Sequence, residues 1–174
     1  MRSGWELSHR ADDKARLVAD RHYNRQKPGT PQFVPPGRCL VLYAGAPAAG
    51  EAVWVTSWPF AEYVRHAWAG AWVCSAFRNE GAGKASDLIV AALAHTRAYF
   101  GDPPELGMIT FVDRKKVNPT MVHGKPVWGW TYRKAGFVEV GETKGGLLAL
   151  QILPGLFPLA EPCAGFLGQL SLAV

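Results

Sequence analysis

Two rhythms of apolar and polar positions alternate along this chain, and their order predicts a layered fold. Trp5–Leu7 reads as a short strand. The stretch "SHRADDKARLVADRHYN" then brings Ala11, Ala15, Val18 and His22 to one face at helical spacing. Ser8 is the expected N-cap, with Asp12 and Asp13 near the positive end of the helix dipole. A Pro/Gly-rich loop covers 27–37. "RCLVLYA" and "EAVWVTSW" are β-branched and aromatic runs joined by "GAPAAG", which predicts a hairpin. "AWVCSAF" (71–77) reads as a third strand. Ala85, Leu88, Ile89, Ala92, Thr96 and Tyr99 form a helical stripe up to Phe100. "LGMITFVD" (106–113) is a buried strand, and 114–127 is a basic loop. "VWGWTYRKAGF" contains a short helix stopped by Gly136. "VEVGE" and "GLLALQIL" close the pattern as a hairpin around "TKGG".

This order predicts an α/β (α+β) layer fold in one domain. With 174 residues the chain can bury a sizeable core. The domain is expected over 1–153. The remaining 154–174 form an apolar tail broken by Pro154, Pro158 and Pro162 and by Gly155, Gly165 and Gly168. Those breakers argue against a membrane-spanning helix and favour a tail packed on the domain or contacting a partner. The first residues carry charges throughout, so no signal peptide is expected. Three cysteines, an odd number without metal-like pairing, suit a reducing cytoplasm better than a disulfide framework or a Cys-based zinc site.

Charge changes the picture through its placement. The net charge is +5. Residues 1–38 hold eight Lys/Arg against four Asp/Glu, and residues 113–144 hold seven against three. Elsewhere the chain is net acidic. A concentrated basic excess points to a polyanionic partner or an anionic cofactor, or else to a solubilising surface.

The stretch "FRNEGAGKAS" lies between the third strand and the long helix, where a turn can bind phosphate. A P-loop requires Gly, four residues, then Gly-Lys-Ser/Thr. Arg78 stands at its first Gly and Ala85 at its hydroxyl, so that pattern fails. A dinucleotide fingerprint fails as well, since Ser86 occupies its third Gly. Arg78-Asn79-Glu80-Gly81-Ala82-Gly83 does match Arg/Gln-x-x-Gly-x-Gly/Ala. There, glycines let the backbone approach a diphosphate, and the helix N-terminus adds partial positive charge. A plain strand-to-helix turn is the other reading.

That hexapeptide, in this element order, resembles the pyrophosphate-binding turn of the GNAT family of N-acetyltransferases. The resemblance extends over 5–153. It implies a mixed, mostly antiparallel sheet flanked by helices. It also implies an acetyl-CoA or another CoA- or phosphate-bearing donor held by Arg78, Gly81, Gly83 and Ser86. "TYRKAGF" looks like that family's late helix, where a Tyr often protonates the leaving thiolate, and Tyr132 matches it. A phenol near its ordinary pKa of about 10 suits that transfer. A core tyrosine is the alternative.

"RHYNRQ" and "TFVDRKK" add a second constellation. His22 ends the first helix on its apolar face, and Asp113 ends a strand near the expected cleft. Either can be structural, as a core histidine and a turn aspartate. Together with the glycine turn and Tyr132, His22-Tyr23 and Asp113 resemble the Mom family of phage DNA-modification proteins. These are GNAT-like and add a carbamoylmethyl group to the exocyclic amine of adenine. The resemblance implies catalytic roles for His22, Tyr23, Asp113 and Tyr132, with an iron at His22, Tyr23 and Asp113. It implies a cytoplasmic enzyme acting on double-stranded DNA, with a homodimer left open. Adenine's amine is a poor nucleophile and needs a base or a Lewis acid. Trp128, Trp130 and Tyr132, beside Lys125 and Arg133, offer planes for a flipped base or belong to the core. Two other readings stay open: an N-acetyltransferase of small-molecule or protein amines, and a non-catalytic DNA-binding adaptor.

Overall fold

A computed structural model describes residues 4–25, 27–31 and 33–166. Nine strands and three α-helices occur among them: β1 Trp5–Leu7, α1 Asp13–Asp20, β2 Arg38–Ala46, β3 Gly50–Trp58, β4 Trp72–Glu80, α2 Ala85–Phe100, β5 Met108–Val112, β6 Thr120–Val122, β7 Lys125–Val127, α3 Trp130–Lys134, β8 Val138–Glu142 and β9 Leu148–Ile152. Seven strands form one sheet in the order β1-β2-β3-β4-β5-β9-β8, and β6 pairs with β7 separately. Every neighbouring pair is antiparallel except β4 and β5. A parallel pair needs a crossover, and α2 supplies it. The chain is an α+β domain, as the element order predicts, and its sheet is mostly antiparallel.

The sheet is covered on both faces, which explains the near-continuous apolar runs of β2 and β3. Leu40, Leu42 and Ala44 of β2 face α2, packing with Trp54, Trp72, Ile89 and Leu93. Val41 and Tyr43 point the other way and meet Ala15, Val18 and Ala19 of α1. Burying each large side chain contributes roughly 1.5–3 kcal/mol, so these two faces hold the domain together.

The parallel pair positions the site. β4 and β5 are bonded only from Trp72–Cys74 to Met108–Thr110, while β4 continues to Glu80. On the other side of β4, Val55 opposes Ala76 and Thr56 opposes Cys74, so Ser75 is a bulge residue. A bulge bends its strand and raises its twist. Beyond Cys74 the two strands therefore part and leave a notch between them.

Four expectations need correction. The first helix starts at Asp13, not after Ser8, and Ala11 lies exposed before it. Asp12 is the N-cap and accepts from the Lys14 N–H, while Ser8 Oγ donates to Asp12 Oδ2 at 2.7 Å. The helix ends at Asp20, whose carboxylate takes Arg16, Arg25 and the Gly29 N–H, so His22 lies in the following turn. β4 runs to Glu80, which puts Arg78 and Asn79 on the strand and not in the turn. The stretch 114–127 is not all loop: β6 and β7 form a hairpin across His123 and Gly124, both at positive φ (49° and 76°) as a tight primed turn demands.

The described part of the tail packs on the domain. Leu7 N donates to Ala164 O at 2.8 Å and Glu161 N to Ala94 O at 3.1 Å. Phe157, Cys163 and Phe166 join the α2 side of the core. Among the described residues no helix is long and apolar enough to cross a membrane. The expectation for 167–174 lies outside the described residues.

Candidate functional site

The notch between β4 and β5 opens into a cleft of about 330 Å³. His22 and Tyr23 from the turn after α1 border it, with Phe77, Arg78 and Asn79 from β4 and Trp130 and Tyr132 from α3. Residues far apart in sequence meet here because α1 and α3 pack at the two lips of the parting strands.

His22 is held at this lip by Asn24. The imidazole Nδ1 lies 2.5 Å from Asn24 Oδ1, and Asn24 Nδ2 donates to Ser75 O at 3.0 Å. The bulge carbonyl thus anchors the side chain that orients the ring. The His22 and Tyr23 rings stack at 4.6 Å with 28° between planes. Burial pushes the His22 pKa below its ordinary value of 6.5; the Asn24 bond opposes this, the nearby Arg78 charge adds to it, and a bond to the Phe77 backbone opposes it. His22 is therefore neutral at neutral pH, its ring bonded to Asn24 and to the Phe77 backbone. Asn24 escapes the sequence reading, although its His-x-Asn spacing is visible in "RHYN".

Tyr23 bridges the gap to β5. Its hydroxyl donates to Phe111 O at 3.3 Å and lies 3.5 Å from the Asp113 amide. Burial raises the Tyr23 pKa, so it stays a phenol. Asp113 opens a turn after β5: Oδ1 accepts from the Lys115 N–H at 3.0 Å, and its carbonyl takes Lys116 and Val117. It lines a neighbouring cavity of about 340 Å³ with Tyr23, Asn24, Ser75 and Lys116. Asp113 and His22 thus stand in adjoining cavities that share Tyr23 and Asn24.

Tyr132 lines the cleft, with its hydroxyl 3.8 Å from Cys74 Sγ and its ring against Phe77 and Phe137. Burial, then the Cys74 thiol, pushes its pKa well above 10. The acid strength expected for protonating a thiolate is therefore lost, because the surroundings disfavour a phenolate. Burial raises the Cys74 thiol to about 12, so it is no nucleophile at neutral pH. Of the aromatic planes, Trp130 and Tyr132 reach the cleft, whereas Trp128 packs on the core and donates to Val117 O at 3.0 Å.

The glycine turn is partly self-satisfied. Arg78 Nε donates to Glu80 Oε2 at 2.6 Å, and Arg21 NH2 reaches Glu80 Oε1 at 2.6 Å and Glu51 at 3.3 Å. Asn79 spans the turn, accepting from Ala82 N at 3.0 Å and donating to Gly83 O at 2.7 Å. Gly81 needs its φ of +90°, whereas a Cβ on Gly83 would meet Leu88 only at ordinary distances of 3.7 Å and beyond. Ser86 is buried in α2. What stays available is the start of α2: its cap residue Lys84 makes no side-chain cap bond and is exposed. The first-turn amides of a sixteen-residue helix point out of the turn there.

The donor set named for iron is divided between two adjoining cavities, His22 lining one and Asp113 the other. Asn24 holds His22 Nδ1, the Lys115 amide holds one Asp113 oxygen, and the Tyr23 hydroxyl faces backbone. Among the described residues no group of three His, Cys, Asp or Glu side chains is close enough to share an ion. In this arrangement His22 and Asp113 do not line one common cavity. Comparison with protein-family models, curated proteins and solved structures found no match.

Proposed function

We propose that the chain is a GNAT-like transferase that modifies the exocyclic amine of adenine in double-stranded DNA, in the manner of the Mom family. The observation that carries this reading is the meeting of His22, Tyr23, Arg78 and Tyr132 on one cleft. In the proposed reaction the amine attacks an electrophilic carbon of the donor. A C–N bond forms, the bond from that carbon to its leaving group breaks, and the amine proton passes to neutral His22. Asn24 aims the imidazole, and Tyr23 packs against it. Asp113, in the adjoining cavity, orients the entering strand or the amine through its free carboxylate oxygen. Tyr132 and Trp130 wall the base, with Tyr132 donating a hydrogen bond as an un-ionised phenol. The donor's phosphates lie against Gly81–Gly83, Lys84 and the first amides of α2, with Arg78 recruited from Glu80 when the anion arrives.

The test is mass spectrometry of nucleosides from cells expressing the protein. A mass shift in deoxyadenosine is expected, and it should vanish in His22→Ala and Asp113→Ala while the fold persists. Unmodified deoxyadenosine in a donor-competent host sinks the reading.

The exposed start of α2 after a glycine turn favours a second reading, an acetyl-CoA-dependent N-acetyltransferase of small or protein amines. Acetyl-CoA turnover on polyamines or peptides, with indifference to DNA, distinguishes it.

A further inference from the structure

A base stacked inside a duplex cannot enter a cleft set between two strands of a sheet; it has to be unstacked first. The hairpin beside the cleft is shaped for that task. β6 and β7 belong to no larger sheet. A two-stranded ribbon on its own is marginal in water, so its setting matters. Its base is fixed, because Trp128 Nε1 bonds Val117 O, and Val117, Asn118 and Thr120 line the cleft. From Thr120 to Pro126 it is exposed, apart from the half-buried Val122.

The pairing register sorts its side chains. Thr120 opposes Val127 and Val122 opposes Lys125 on one face, and Thr120 of that face lines the cleft. Met121 opposes Pro126 on the other. Met121 is 63% exposed, so the outer face is a small apolar ridge. Charge around it is one-sided. Arg114 is paired with Glu142, but Lys115 and Lys116, which lead into the ribbon, and Lys125 on it make no ion pair among the described residues. An apolar ridge on a projecting ribbon flanked by unpaired cations matches the wedge-and-phosphate chemistry by which proteins enter and unstack a duplex.

We infer that the β6–β7 ribbon enters a groove of duplex nucleic acid, with Met121 and Pro126 wedging a base step while Lys115 and Lys125 hold the flanking phosphates. This rests on the DNA-modification reading and adds the element that delivers the base. It also gives a role to a segment that the sequence pattern assigns to loop.

The probe is a short duplex carrying 2-aminopurine in place of one adenine, whose emission rises on unstacking. The full chain is compared with Met121→Ala, Met121→Ser and Lys115→Ala/Lys125→Ala, each checked by circular dichroism. The unchanged chain should bind and brighten the probe. Both Met121 variants should keep the salt dependence and lose most of the brightening. The double lysine variant should lower the slope of log affinity against log salt by about two. Full brightening in the Met121 variants overturns the inference whatever the lysines do, and leaves the transferase reading standing. Ribbon-dependent brightening with unmodified deoxyadenosine sinks the transferase reading alone. A chain that binds no duplex sinks both.

Discussion

Glu80 holds Arg78 by a 2.6 Å bond from Nε, and Arg21 grips the same carboxylate from the end of α1. A cation expected to face donor phosphates is thus occupied in the free protein. Two arginines also hold the Glu80 carboxyl down at about 2, against an ordinary value of 4.5. Its stabilisation is fully present above pH 4.5 and is lost as pH falls towards 2. Glu80→Gln should cost about 2 kcal/mol at neutral pH, after allowing for the partly exposed partners. The gap between wild type and variant should close on acidification, which thermal melts across that range will measure. The freed Arg78 should tighten binding of CoA-type phosphates several-fold by calorimetry; weaker binding would remove Arg78 from the donor site.

His22 must be uncharged to accept a proton. Burial lowers its pKa below 6.5, so the acid limb of modification should lie below that pH. His22→Ala and His22→Gln should each cut the rate roughly 10²–10⁴-fold without moving the melting curve far. A variant retaining full rate would leave His22 a packing residue of the turn.

Tyr132 separates two roles by one atom. Its raised pKa makes it a poor acid but keeps the hydroxyl protonated. Tyr132→Phe should therefore change the rate less than about tenfold, far below the effect of losing a general acid or base. Tyr132→Ala removes a ring packed on Phe77 and Phe137 and should destabilise by about 3 kcal/mol. A hundred-fold loss in Tyr132→Phe would restore the proton-donor role.

The glycines of the turn can be told apart in the same way. Gly81→Ala forces a Cβ onto a φ of +90° and should cost roughly 1–3 kcal/mol. Gly83→Ala meets only Leu88 at van der Waals distance and should fold normally. Reduced donor affinity in a stable Gly83→Ala would locate the diphosphate at this backbone. Unchanged affinity would leave Gly83 a spacer.

The sheet and α2 were legible because their side chains obey one period over many residues. The hairpin β2–β3 and the stripe from Ala85 to Phe100 both declare their faces. The end of α1 is not legible in the pattern, because Asp20 is captured from the following loop by Arg25 and the Gly29 amide. β6 and β7 are three residues each, too short to show alternation. The Arg78–Glu80 bond lies in plain view at i and i+2. Its meaning depends on Arg21, 59 residues from Glu80, which only the packing of α1 against β3 and β4 supplies. The notch itself follows from a single bulge at Ser75, which no local signal in "AWVCSAF" announces.

Asn24 offers the sharpest test of the site as a unit, because it touches both His22 and the bulge. Asn24→Asp places a carboxylate 2.5 Å from the imidazole in place of the amide oxygen. A negative charge there favours the imidazolium and should raise the His22 pKa. The acid limb of modification should move up by the same amount, with activity at neutral pH falling as more of the ring is protonated. The variant also loses the Nδ2 donor to Ser75 O, at a cost of about 1–3 kcal/mol. Asn24→Ala removes that bond without adding charge and serves as the control for stability. Imidazole proton resonances followed against pH measure the shift directly. An upward shift with an unmoved rate profile would show that His22 titrates beside the reaction without taking part in it.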